Sequence, residues 1–173
     1  MKKLVLFLMV IFLISCSGVQ NEETNLDKEK VYIGYIGCSN TRETVEGYQH
    51  VGGKKIWDSE RRYGSGTILD WSSNSEDGVY WNVFDQLMEK YPNTNTIWWQ
   101  LCIMDQDRTT SYENANKVLN ELREKIPGVV IYVSPLADYT EGVCEITGTF
   151  GLEKGKELAQ ELDANNEDVF LGP

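Results

Sequence analysis

From Val31 onward the chain alternates short β-branched runs with stretches of helical spacing, a pattern that few folds accommodate. Residues 31–36 (Val-Tyr-Ile-Gly-Tyr-Ile) read as a buried strand that ends in Gly37-Cys38-Ser39-Asn40. Across 79–91 the apolar positions Tyr80, Val83, Phe84, Leu87, Met88 and Tyr91 follow helical spacing, and Pro92-Asn93 stops the helix. A second strand is predicted over 96–103. A helix follows through Tyr112, Ala115, Leu119, Leu122 and Ile126, capped by Ser111 and stopped by Pro127-Gly128. Residues 129–133 predict a third strand, Leu152, Leu158, Ala159 and Leu162 a further helix, and 168–171 a fourth strand. Apolar strands joined by helical crossovers predict an α/β fold, a doubly wound parallel sheet in a flavodoxin-like three-layer arrangement. Such sheets bind ligands beyond the carboxyl ends of their strands. That singles out 37–41, 102–107, 134–138 and whatever follows Leu171.

The first thirty residues are of another kind. Met1-Lys2-Lys3 is cationic, and the apolar run 4–14, at about 1.5 Å per residue, falls short of the roughly 30 Å of a bilayer core. Leu13-Ile14-Ser15-Cys16 resembles a bacterial lipobox. The resemblance implies a signal peptide over 1–15, lipidation at Cys16, and a membrane-anchored lipoprotein on the periplasmic or cell-surface side. The alternative is a plain secretory peptide cut near Ser17; either way the domain is exported. Residues 16–30 are polar and acidic and read as a tether, which leaves 31–173 for the folded domain. Loss of Lys2 and Lys3 takes the net charge from −11 to −13, which disfavours nucleic acid as a partner.

Ser39 directly follows a buried strand and a glycine, in a turn that exposes its hydroxyl and presents its own N–H to an oxyanion. Its other reading is a cap for the helix that begins near Thr41 or Glu43. At this point the chain resembles the SGNH/GDSL hydrolase superfamily. Gly37-Cys38-Ser39 stands where that family has Gly-Asp-Ser, Gly64-Ser65-Gly66-Thr67 stands for its second block, and Cys102-Ile103-Met104-Asp105 for its third. The resemblance implies an exported ester hydrolase acting on an acyl or acetyl ester, small or on a glycan. Ser39 would be the nucleophile, with oxyanion or substrate contacts from Gly64, Gly66 and Asp105. The family's Asp-x-x-His block has no counterpart, because the single histidine, His50, follows the nucleophile turn instead of the last strand. The resemblance therefore implies a domain one block short, and a Ser hydroxyl without an imidazole attacks poorly at neutral pH.

A second class of function follows from the same gaps: a non-catalytic lipoprotein that holds a small ligand or glycan in the crevice. Trp57, Trp71, Trp81, Trp98 and Trp99, with Tyr48, Tyr63 and Tyr80, are dense near the crevice segments and can stack on sugars; their other reading is core. The loops add Asp105, Asp107 and Asp138 as candidate acids, or as solvated loop residues. Cys38 and Cys102 end strands that are candidates for neighbours and so for a disulfide, against the alternative of three free or buried thiols. Cys144 then has no partner within the chain. No Cys/His pair has metal-ligand spacing, and neither a metal nor another cofactor is expected.

Overall fold

A computed structural model describes residues 31–63, 66–73, 78–137 and 142–173. Four strands, β1 (Tyr32–Ile36), β2 (Thr94–Leu101), β3 (Val130–Pro135) and β4 (Val169–Leu171), form one parallel sheet in that spatial order. Five α-helices connect them: α1 (Ser39–His50), α2 (Ile68–Ser73), α3 (Val79–Lys90), α4 (Tyr112–Lys125) and α5 (Gly148–Asn165), with a 3-10 turn at Arg61–Tyr63. The protein is thus an α/β chain on an all-parallel sheet.

The strands are parallel because each pair is joined by a helical crossover, which returns the chain to the edge it left from. One short contact changes the order of winding. Ile33 donates its N–H to Lys55 O at 2.8 Å and accepts from Trp57 N–H at 3.0 Å, so Ile56 forms a one-residue parallel bridge to it. A strand residue points both backbone groups to one side, which puts Ile56 on the side of β1 away from β2. The chain therefore winds outward through α1 to Ile56, then crosses back over β1 to begin β2. That reversal leaves a crevice at the carboxyl ends of β1 and β2.

Helices lie on both faces of the sheet. The Thr41 hydroxyl in α1 donates to the Gln100 side chain at 2.8 Å, which places α1 on the face that also carries Trp98, Tyr132 and Ser134. A Cβ added to Gly155 in α5 would meet Leu101 O and Pro135 Cβ at 3.6 Å, which places α5 on the opposite face with Ile97, Trp99, Ile131 and Val133. That second face is the main core. Trp57, Trp71, Trp81 and Trp99 are at most 1% exposed. Their indoles meet edge to face, Trp71 on Trp81 at 4.9 Å and Trp57 on Phe84 at 5.2 Å, and their N–H groups are satisfied: Trp57 by Thr94 and Trp81 by the Trp71 carbonyl. These four rings are packed into the core. Trp98 is half-buried on the α1 face and donates to Ser134 Oγ at 2.7 Å.

Three local differences from the sequence-based expectation have physical causes. β2 runs over 94–101 rather than 96–103, because its partner β3 ends at Pro135, which has no N–H to continue the ladder. Ser39 does not cap α1 but is its first residue; Cys38 holds the cap position, its N–H donating to the Thr41 hydroxyl at 3.0 Å. And α2, which no periodicity announces, is set by Thr67 and Asp70. Thr67 N–H donates to the Asp70 carboxylate at 2.9 Å, and Asp70 N–H to Thr67 Oγ1 at 3.2 Å.

Candidate functional site

The carboxyl ends of β1, β2 and β3 deliver Cys38, Cys102 and Leu136 to one place. Cys38 and Cys102 are joined there by a disulfide, with Cα atoms 6.1 Å apart across 64 positions of sequence. Thr41, fully buried, holds the turn beneath it: its hydroxyl accepts from Cys38 N–H, donates to Gln100 Oε1, and lies 4.0 Å from Cys102 Sγ. Gly37 is needed at the bend. Its φ is +150°, and a Cβ there would strike the Thr41 hydroxyl.

Beyond the disulfide opens a cavity of about 340 Å³. Ser39, Asn40 and Arg42 line it from the start of α1, Ile103 and Met104 from the exit of β2, and Thr67 from the turn before α2. The remaining wall is the segment before α5, with Cys144, Ile146 and Thr147. Asp105 N–H donates to Ile146 O at 2.8 Å and so fastens that wall to the loop after β2. Arg42 is the one charged side chain among the described residues that line it. Its Nε is buried without a hydrogen bond, the nearest carboxylate oxygen being Glu46 Oε1 at 3.5 Å. The Arg42 guanidinium is paired with Glu46 and, at 3.6 Å, with Glu43, and the amino end of α1 opens toward the same space. The thiol of Cys144 is held below the usual thiol range by hydrogen bonds from the Thr147 and Ile146 backbone N–H groups. A larger hollow of about 450 Å³ lies at the other end of β1, between Tyr32, Gln49, Lys54 and Asp58. It is remote from the strand ends where the disulfide and Ser39 meet.

Of the residues singled out from sequence, Ser39, Cys38 and Cys102 come together at the cavity. Gly66 and Asp105 do not line it. The Gly66 N–H is donated inward to the Tyr80 hydroxyl at 3.4 Å. Both oxygens of Asp105 accept from Arg108 at 2.7 Å. Arg108 itself stacks over Phe150 at 4.3 Å. Asp107 accepts from Met104 N–H at 3.1 Å and shapes the loop. His50 is exposed at the far end of α1, eleven residues from Ser39, or about 16 Å along the helix. Cys16, Gly64 and Asp138 lie outside the described residues.

Arg42, Thr41 and Cys144 were not read as site residues. Thr41 carried a signal, since it stands three positions after the cap residue, as in a capping box. Arg42 and Cys144 carried none, because only the tertiary arrangement brings the start of α1 and the segment before α5 to one wall. No family model, curated protein or solved structure matches the chain. Among the described residues no helix is long and apolar enough to cross a membrane, and no group of three or more His, Cys, Asp and Glu side chains is placed to hold a metal.

Proposed function

We propose that this chain is an exported, lipid-anchored binding protein on a doubly wound, three-layer SGNH-like fold, which holds a small acyl compound in the switch-point cavity without hydrolysing it. The lipobox-like Ser15-Cys16 supports the anchor, and the winding reversal at β1 supports the fold. The ligand's carboxylate or ester carbonyl faces Ser39 and Arg42 at the amino end of α1, and its acyl chain lies along Ile103, Met104, Leu136 and Ile146. One observation carries the non-catalytic reading: Ser39 lines the cavity while the single imidazole of the chain sits about 16 Å away. An unassisted Ser hydroxyl stays protonated at neutral pH, and loss of its base costs a triad several thousandfold in rate.

Hydrolysis remains the competing activity because Ser39 occupies the nucleophile's place after β1. Two measurements separate them. Titration of the protein with hexanoate, followed by amide chemical shifts, is expected to perturb residues 38–42 and 102–104, and Arg42→Ala is expected to weaken binding about tenfold. Turnover of p-nitrophenyl acetate is expected to be the same for wild type and Ser39→Ala. A rate that collapses in Ser39→Ala establishes the hydrolase instead, and hexanoate without effect on those amides removes the binding reading.

A further inference from the structure

The cavity has three cysteines on its wall, and the binding reading uses none of them. Two are the disulfide pair Cys38 and Cys102; the third, Cys144, is a free thiol, half-buried and facing the same space. A free thiol and a disulfide lining one pocket are the reactants of thiol–disulfide exchange. The ends of two helices bear on the two ends of that reaction. Cys144 sits in the turn that opens α5, where Gly148 N–H donates to the Cys144 carbonyl at 2.8 Å and the Thr147 hydroxyl does so at 3.3 Å. Cys38 is the cap residue of α1, with its sulfur turned to the Thr41 N–H. The Cys38 sulfur therefore lies at the positive end of a helix, and the Cys144 sulfur accepts from the Ile146 and Thr147 N–H groups of its own turn, settings in which a thiolate is stabilised.

We propose that Cys144, Cys102 and Cys38 form an internal thiol–disulfide exchange site, in which Cys144 attacks Cys102 and releases Cys38. The deprotonated Cys144 sulfur places its lone pair in a new bond to Cys102 Sγ. The Cys38–Cys102 bond breaks, and its electron pair leaves on Cys38 as a thiolate, which takes up the proton that Cys144 gave away. One disulfide replaces another, so the chain is neither oxidised nor reduced and no co-reactant is consumed. Cys102 is the attacked sulfur because departure of Cys38 puts the leaving charge at the amino end of α1, and a better-stabilised thiolate leaves faster. The backbone N–H groups around Cys144 favour its thiolate, the form that attacks.

The exchange needs no bound ligand and stands or falls apart from the acyl-binding reading. Its test is labelling of the full oxidised chain with N-ethylmaleimide at pH 7, quenched in acid and mapped by mass spectrometry without reduction, with label at Cys16 scored separately. The expected result is label at both Cys144 and Cys38, the latter accompanied by a Cys102–Cys144 disulfide peptide. Cys144→Ser is expected to lose the label at Cys38 and to keep the Cys38–Cys102 peptide intact. Label confined to Cys144, with no Cys102–Cys144 peptide at any incubation time, overturns the proposal. So does label at Cys38 that persists in Cys144→Ser. Hexanoate titration of that same variant reads the binding function independently.

Discussion

Gly66 lies where the turn before α2 touches the turn after β1, with φ at +43° and no room for a Cβ, which would strike the Gly37 carbonyl. Both partners of that contact are backbone, so no side-chain rotation relieves it. Gly66→Ala is expected to cost at least about 2 kcal/mol, read as a lower urea midpoint with an unchanged slope. A glycine in a loop beside strand ends looks the same in sequence whether it offers its N–H to a ligand or merely permits a close approach. Here the Tyr80 hydroxyl takes the N–H, and the contact is structural. Asp105 teaches the same at a charged position: its carboxylate is spent on Arg108, three residues along its own loop. Ser39 was legible as a residue of the crevice, because position after a strand and a glycine is local information. The one histidine of the sequence, His50, was legible too, and the structure sets it at the far end of α1 from Ser39.

Among the elements, those with wide apolar stripes could be read and those with narrow ones could not. α4 buries Ala115, Val118, Leu119 and Leu122 and is closed by the Ser111–Asn114 capping box. α1 buries only Thr41 and Val45, so its apolar period is too weak to announce twelve helical residues. α2, at six residues, is too short for any period to show. The end of α4 and the start of β4 are tied by Arg123, which donates to Asp168 at 2.6 and 2.8 Å and to Asn166 at 2.8 Å. The Arg123 guanidinium holds the Asp168 carboxyl below its ordinary range, and Lys90 and Arg62 do the same for Asp58 and Glu60. A carboxyl whose folded-state pKa is depressed contributes stability above its unfolded value of about 4, and that stability is lost as the pH falls through the folded value. The urea midpoint is therefore expected to fall between pH 5 and pH 2, and Asp168→Asn to flatten part of the fall. The Arg123 and Asp168 side chains are each about a third exposed, so solvent screening keeps the change modest.

For the whole molecule, the Cys38–Cys102 disulfide closes a loop that contains α1, α2, α3 and the whole of β2. A cross-link over 64 positions restricts the unfolded chain by about 4 kcal/mol on the loop-entropy account. Reduction with dithiothreitol is expected to lower the unfolding free energy by up to that amount, measured by urea denaturation with and without reductant. The molecule also leaves Tyr132 and Phe170 exposed on the α1 face, their rings 5.8 Å apart, while the opposite face is filled by α3, α4 and α5. The amino-acid sequence alone determined what depends on near neighbours: the periods that make strands and helices, the stops at Pro92 and Pro127, and hence a parallel α/β sheet. Only the tertiary structure decided which strand ends meet, that Ile56 returns on the outer side of β1, and that Arg42 and Cys144 share a wall with the disulfide. Those pairings join positions tens of residues apart. Hydrophobic period is a property of a few turns of chain, whereas adjacency across the sheet is settled by how whole faces pack against each other.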